Sequence, residues 1–267
     1  MTEVHHFVYQ PQGFLRRYVR EILWVRSEHA RVQFLLPETA LTLVLRQSGT
    51  ASLQNQDLPG AIVSGLQERV RVVEHRPNSS LVIVRFTEVG ASPILHDRAD
   101  LFYNQTAALD DVLPKQEIDD VQNVLANTGD MRQQILSVER FLVSRIRGLD
   151  PISPQIESAV QMIRVSEGRS SIAALARHVA MSQSSLERHF RAQVGLPVCS
   201  ISAGCGKTGK ILPRLPLKRV TRINRTWCTT SGFSPAHLRK FFFGELPRVI
   251  CRLFTSSSRF AFATLQG

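Results

Sequence analysis

Between Ser182 and Arg191 the stretch SQSSLERHFR carries Ser182, Gln183, Ser184, Ser185, Glu187, Arg188 and Arg191, all able to form directional hydrogen bonds. Their chemistry is that of reading base edges. A guanidinium such as Arg188 can pair with guanine, the Gln183 amide with adenine, and Glu187 can accept from cytosine or pair with Arg191 four residues on. An acidic side chain in the set argues against purely nonspecific attraction to phosphate. Leu186, Phe190 and Val194 recur every fourth residue and would turn inward on a helix, which leaves the polar set outward. Periodicity alone is equally consistent with an ordinary bundle of three small helices.

Positioning that face requires the whole stretch from Gln155 to Gly195. Ile156, Ala159, Val160 and Ile163 share one face of a first helix, and Gly168 is placed to end it. Ser170 or Ser171 caps a short second helix whose Ile172, Leu175, Ala176 and Val179 repeat at i, i+3, i+4 and i+7. Ser182 caps the third, and Gly195 and Pro197 supply its stop. Two short helices joined by a tight turn form a helix-turn-helix when the first braces the second against a major groove about 12 Å wide.

Upstream, residues 1–148 read as a β-rich unit with trailing helices. Leu41–Arg46, Ala61–Gly65, Arg69–His75 and Ser80–Phe86 are short runs rich in Val, Leu and Ile, separated by Gly, Pro, Asn and Ser turn chemistry. Such spacing suits a small sandwich or barrel. The preceding PQGFLRRYVREILWVRS predicts a helix ending its apolar face at Trp24, and His5 and His6 are expected in a loose terminus. After Phe86, TAALDDVL, KQEIDDVQNVLAN and DMRQQILSVERFLVSRIRGL predict helices. Ile135, Val138, Phe141, Leu142 and Ile146 of the last form one stripe, which either packs on its own unit or makes a dimer contact. LDPISP, centred on residues 149–154, reads as a linker because its two prolines disfavour helix. Residues 155–198 then form the helical reading unit and 199–267 a tail.

Length and composition allow two domains with real cores: the 267 residues are 43% hydrophobic and 21% charged. No apolar run reaches membrane-span length and the start lacks a secretion signal, so a cytoplasmic location without membrane contact is expected. The net charge of +11 is unevenly placed. Cys199–Gly267 holds 12 Lys plus Arg against Glu245 alone, so residues 1–198 balance at 21 of each sign and the excess belongs to the tail. All four cysteines lie there too, at intervals of 6, 23 and 23, which fits no zinc-ligand pattern, and disulfides suit a cytoplasmic chain poorly. GCGKTGK suggests a phosphate-binding loop, yet Ile201 stands where the required glycine should precede Gly206-Lys207. His75 and His96 have no partner at metal-ligand spacing, and no catalytic constellation of Ser, Cys or carboxylates is apparent, so neither enzyme activity nor a cofactor is expected.

The stretch SSIAALARHVAMSQSSLERHFRAQVGLP resembles the first helix-turn-helix of the AraC family of bacterial transcription regulators, through Ile172, Leu175, Ala176, Met181-Ser182, Leu186, Arg188, Phe190, Gly195 and Pro197. LPETALTLVL and VRFTEVGASPIL are similar to the amino-terminal sensory domain of one branch of that family. The resemblance implies an α+β chain: a β-rich, cupin-like barrel followed by helices, then an all-α helix-turn-helix domain with a poorly ordered basic tail. It also implies double-stranded DNA as partner, read by helix 183–194, with Gln183, Ser184, Glu187 and Arg188 facing bases and Arg191 nearer a phosphate. A small-molecule effector in the amino-terminal domain and a homodimer follow as expectations of the same kind.

Two departures stand out. Ala180 occupies the turn position where the family commonly has glycine, so a positive φ there would strain it by about 1 kcal/mol. Beyond Pro197 the family continues into a long helix and a second reading unit, whereas Cys199–Thr230 contains Gly204, Gly206, Gly209, Pro213 and Pro216. SGFSPAHLRKFFFGELPR echoes that second unit with shortened intervals, and within it His237, Arg239 and Lys240 are its candidate DNA contacts. A shifted reading frame or a decayed gene end from about Val198 accounts for the break; a divergent basic tail is the alternative. The competing functional reading is a ligand-binding or interaction protein whose DNA-binding half is no longer competent.

Overall fold

A computed structural model of the chain describes residues 4–35, 37–146 and 152–198. Ten strands come first: β1 (Val4–Tyr9), β2 (Val19–Ser27), β3 (Arg31–Leu35), β4 (Thr42–Ser48), β5 (Ala51–Leu53), β6 (Gln56–Asp57), β7 (Ala61–Ser64), β8 (Arg71–His75), β9 (Ser79–Phe86) and, after helix α1 (Ala91–Leu95), β10 (Thr106–Ala108). Helices α2 (Lys115–Asn127), α3 (Met131–Ile146), α4 (Pro154–Val165), α5 (Ile172–His178) and α6 (Gln183–Val194) follow. The chain is therefore mixed α+β, with a β-rich first part and helices after it.

Six strands form one sheet in the order β1-β2-β9-β4-β7-β10, and four form a second in the order β3-β8-β5-β6, with antiparallel pairing throughout. Central β9, SSLVIVRF, is buried along its whole length, as a strand covered on both faces must be. Its Val82 and Val84 join Ile22, Leu43, Leu45 and Val63 against the helices. Its Leu81 and Ile83 join Leu23, Val25 and Val44 on the opposite face.

Three local expectations are corrected. The helix predicted over Pro11–Ser27 is instead a 3-10 turn at Gly13–Arg17 followed by β2. Apolar residues at 19, 22, 23 and 25 satisfy a helical stripe and a two-faced central strand equally, and the ladders to β1 and β9 decide between them. TAALDDVL forms β10 and a 3-10 turn at Leu109–Asp111, because Thr106–Ala108 completes the edge of β7. His5 and His6 lie within β1, registered against Arg26 and Val25, rather than in a loose terminus.

The strand runs at β4, β7, β8 and β9 and helices α2 and α3 lie where the residue patterns put them. The α3 stripe packs on its own unit, with Ile135, Val138, Phe141 and Leu142 buried, and Trp24 Nε1 donates to Gln134 Oε1 at 2.7 Å. Pro154 opens α4 as its first residue, a position whose N–H has no helical partner in any case, while Ile152 is buried. One apolar cluster runs from Leu15 through the sheet and α2–α3 to Val198, so the last three helices share a core with the first part.

Candidate nucleic-acid interface

Helices α4–α6 build the polar face step by step. Ile156, Ala159, Val160 and Ile163 bury one side of α4. Its C-terminus turns through Glu167, at φ +52°, and Gly168, at φ +76°; Gly168 N–H bonds Ile163 O at 2.8 Å. Ser171 is the residue that caps α5, its Oγ accepting from Ala174 N–H at 3.2 Å. The α5 end closes with Ala180 N–H on Arg177 O at 3.2 Å and Met181 N–H on Ala176 O at 3.0 Å, the bond pair that needs a left-handed residue after the cap. Ala180 takes that role at φ +54°.

Helix α6 covers Gln183–Val194, the same bounds read from the residues. Ser182 caps it, Oγ accepting from Ser185 N–H at 3.2 Å, and Gly195 ends it at φ +89°. Leu186, Phe190 and Val194 are fully buried; truncating Phe190 to alanine would cost about 3–5 kcal/mol. On the other side Ser182, Gln183, Ser184, Arg188 and Arg191 are exposed, and Ser185 and Glu187 are half-buried. Twelve helical residues extend about 18 Å, enough to lie along a major groove. Ser184, Arg188 and Arg191, at i, i+4 and i+7, line one stripe.

Among the described residues Arg188 has no ion-pair partner. Arg191 meets Glu187 at 3.9 Å, a long, solvated pair that contributes little to stability. His189 and Arg177, outside the predicted set, are exposed as well. Arg177 stands in the last turn of α5 and His189 follows Arg188 on α6, so residue type and position in the chain were the available signal. His237, Arg239 and Lys240, the basic tail, its expected order and the GCGKTGK loop lie outside the described residues.

The face is held from behind. The C-terminal end of α6 sits on the β-rich part so closely that a Cβ at Gly195 would lie 2.5 Å from Leu66 Cδ1 and 3.0 Å from Ala99 O. Helix α4 is tied to the same part by two ion pairs. Arg17 Nη2 donates to Glu157 Oε2 at 2.6 Å. Glu88, with its side chain 1% exposed, accepts from Arg20 Nη2 at 2.7 Å, from Thr39 Oγ1 at 3.3 Å and from Arg164 Nη2. The outer stripe of α6 thus points away from a braced, buried back.

Among the described residues no group of three His, Cys, Asp or Glu side chains could hold a metal ion, and no helix is long and apolar enough to cross a membrane.

No protein-family model matches the chain, and no curated protein is similar to it. Among solved structures it is similar to the AraC-like transcriptional activator CuxR, at 14% identity over 86% of this chain and 88% of that one, with a TM-score of 0.28. It is also similar to ToxT from Vibrio cholerae, at 11% identity over 73% of this chain and 96% of that one, with a TM-score of 0.24.

Proposed function

We propose that the protein is a sequence-specific DNA-binding transcription regulator of the AraC type, reading the major groove with helix α6. One observation carries this reading: a capped helix whose apolar stripe is fully buried, whose C-terminal end is anchored, and whose exposed side holds Gln183, Ser184, Arg188 and Arg191. In this reading Arg188 pairs with a guanine, Gln183 with an adenine, Glu187 accepts from a cytosine, Arg191 holds a phosphate, and Ser182 and Ser185 sit at the helix start against the backbone. The β-rich part takes a small-molecule effector. A homodimer, in the cytoplasm, places two α6 helices on half-sites about 34 Å apart. A basic tail adds attraction that falls steeply with salt.

The test is a mobility-shift titration on the promoter DNA beside the gene. Arg188→Ala weakens binding by about 5–100-fold and relaxes the preference for one guanine. Unchanged affinity removes Arg188 from base reading. The abrupt change of composition after Val198 favours a second reading, a ligand-binding protein with an incompetent DNA-binding half. Retention of no specific DNA at near-physiological salt, by a chain that folds, selects it.

A further inference from the structure

The edge strands of the two sheets differ in what they offer. β10 and β6 are three and two residues long, too short to template a partner, and β3 is buried or half-buried along its length. β1 has six residues, about 20 Å of strand, and its central four are exposed. Its inner side is laddered to β2 from Val4 to Tyr9 without a shift of register, and among the described residues no strand pairs with its outer side. An antiparallel strand turns the N–H and C=O of alternate residues away from its neighbour, so β1 carries a row of backbone groups that face outward. Natural edge strands resist accidental pairing through lysine, proline, a bulge or an inward-pointing charge. The β1 sequence, VHHFVY, has none of these.

Two large apolar side chains of β1 are exposed, Phe7 at 41% and Val8 at 43%. They lie on opposite faces. Phe7 is registered with Trp24, which packs on the helix side of the sheet, and Val8 with Leu23, which belongs to the cluster on the other side. A helix or flat surface laid on one face covers one of them. A strand added at the edge alternates its side chains between the faces and covers both.

The strand is also its own complement. A two-fold axis normal to the sheet through Phe7 sets two copies of β1 antiparallel, with Phe7 opposite Phe7 of the second copy, His5 opposite Tyr9, and His6 opposite Val8. Each pair stays on one face. Aromatic rings meet on the helix side, Val8 is covered on the other, and no lysine, arginine or carboxylate of β1 stands opposite a like charge.

We propose that β1 is the edge through which two copies of this chain pair, joining their six-stranded sheets into one. This names the surface of the homodimer in the proposed function and rests on that reading only for the consequence on DNA. Stable interfaces bury about 1,200–2,000 Å², more than one strand edge covers, so the dimer forms with a dissociation constant of roughly 1–100 µM.

Sedimentation equilibrium of the full chain without DNA, over about 1–300 µM, reads that dimer. Phe7→Lys and Val8→Lys, which place a charge on either face of the edge, each weaken it by about tenfold or more. Val124→Lys, at an exposed apolar position of α2, which packs over β4, leaves it unchanged. Hydrogen exchange reads the parent directly: amides of residues 5–9 slow as concentration rises through the transition, while those of Thr106–Ala108, at the opposite edge of the same sheet, do not. Circular dichroism melting checks that the variants fold, and exchange in the parent decides if one does not. A chain that stays monomeric to about 300 µM overturns the proposal. So does a dimer that Phe7→Lys and Val8→Lys spare, one that Leu136→Lys on α3 dissolves more readily than they do, or exchange at residues 5–9 that ignores concentration. Because no DNA is present, each of these outcomes leaves base reading by α6 standing.

Discussion

Replacing Ala180 by glycine stabilises the protein by about 0.5–1 kcal/mol, and the terms can be separated. Ala180 holds φ +54° between α5 and α6, fixed by the two closing bonds to Arg177 O and Ala176 O. An L side chain in that region is pressed toward the following carbonyl, at about 1–2 kcal/mol. The methyl is exposed, so its loss removes little packing. Against the relief stands the greater freedom of glycine in the unfolded chain, about 0.4–1 kcal/mol. Urea unfolding followed by far-ultraviolet circular dichroism, for parent and Ala180→Gly side by side, reads the difference as a higher midpoint at unchanged slope. A midpoint that falls would refute the left-handed turn, and with it the orientation of α6 relative to α5.

Three further outcomes follow from the same geometry. Glu88→Gln, which leaves the side chains of Arg20 and Arg164 without their carboxylate, lowers stability by about 3 kcal/mol in urea unfolding; no change would mean the pairs are solvent-screened. His75 is favoured neutral when folded, about 3 against an ordinary 6.5, so its contribution is complete above 6.5 and is lost as pH falls toward 3, by up to roughly 5 kcal/mol. Unfolding midpoints measured between pH 7 and 5 should slope downward in the parent and flatten in His75→Gln. Gly195→Ala forces a methyl into Leu66 and Ala99 at φ +89°, and a loss of about 2–4 kcal/mol is expected by the same urea assay.

Helix caps and stops were legible because they are local. Ser171, Ser182, Gly168 and Gly195 act on neighbours within a few residues, and α6 begins and ends where its cap and its glycine dictate. The inward stripe of Leu186, Phe190 and Val194 was legible for the same reason, since a helix repeats with a period its own backbone sets. Segments whose residues fit two periods were not. Val19–Ser27 carries apolar side chains on both faces, and only pairing with β1 and β9, strands from distant parts of the chain, makes it a strand. Thr106–Ala108 likewise became β10 only because β7 offered an edge.

Charge tells the same story. The residues themselves determine that Arg188 is cationic and stands opposite an apolar stripe, which is all the base-reading argument needs. Which arginines are stripped of water is decided by tertiary structure alone. Arg31, Arg46 and Arg85 alternate with apolar residues much as solvent-facing strand positions do, yet all three are buried in the fold. The partners that decide their energetics, Glu21 and Glu38 for Arg85 and no described carboxylate for Arg31, come from other strands and loops. Burial and charge pairing are properties of surfaces brought together across long chain separations, and no local pattern encodes them.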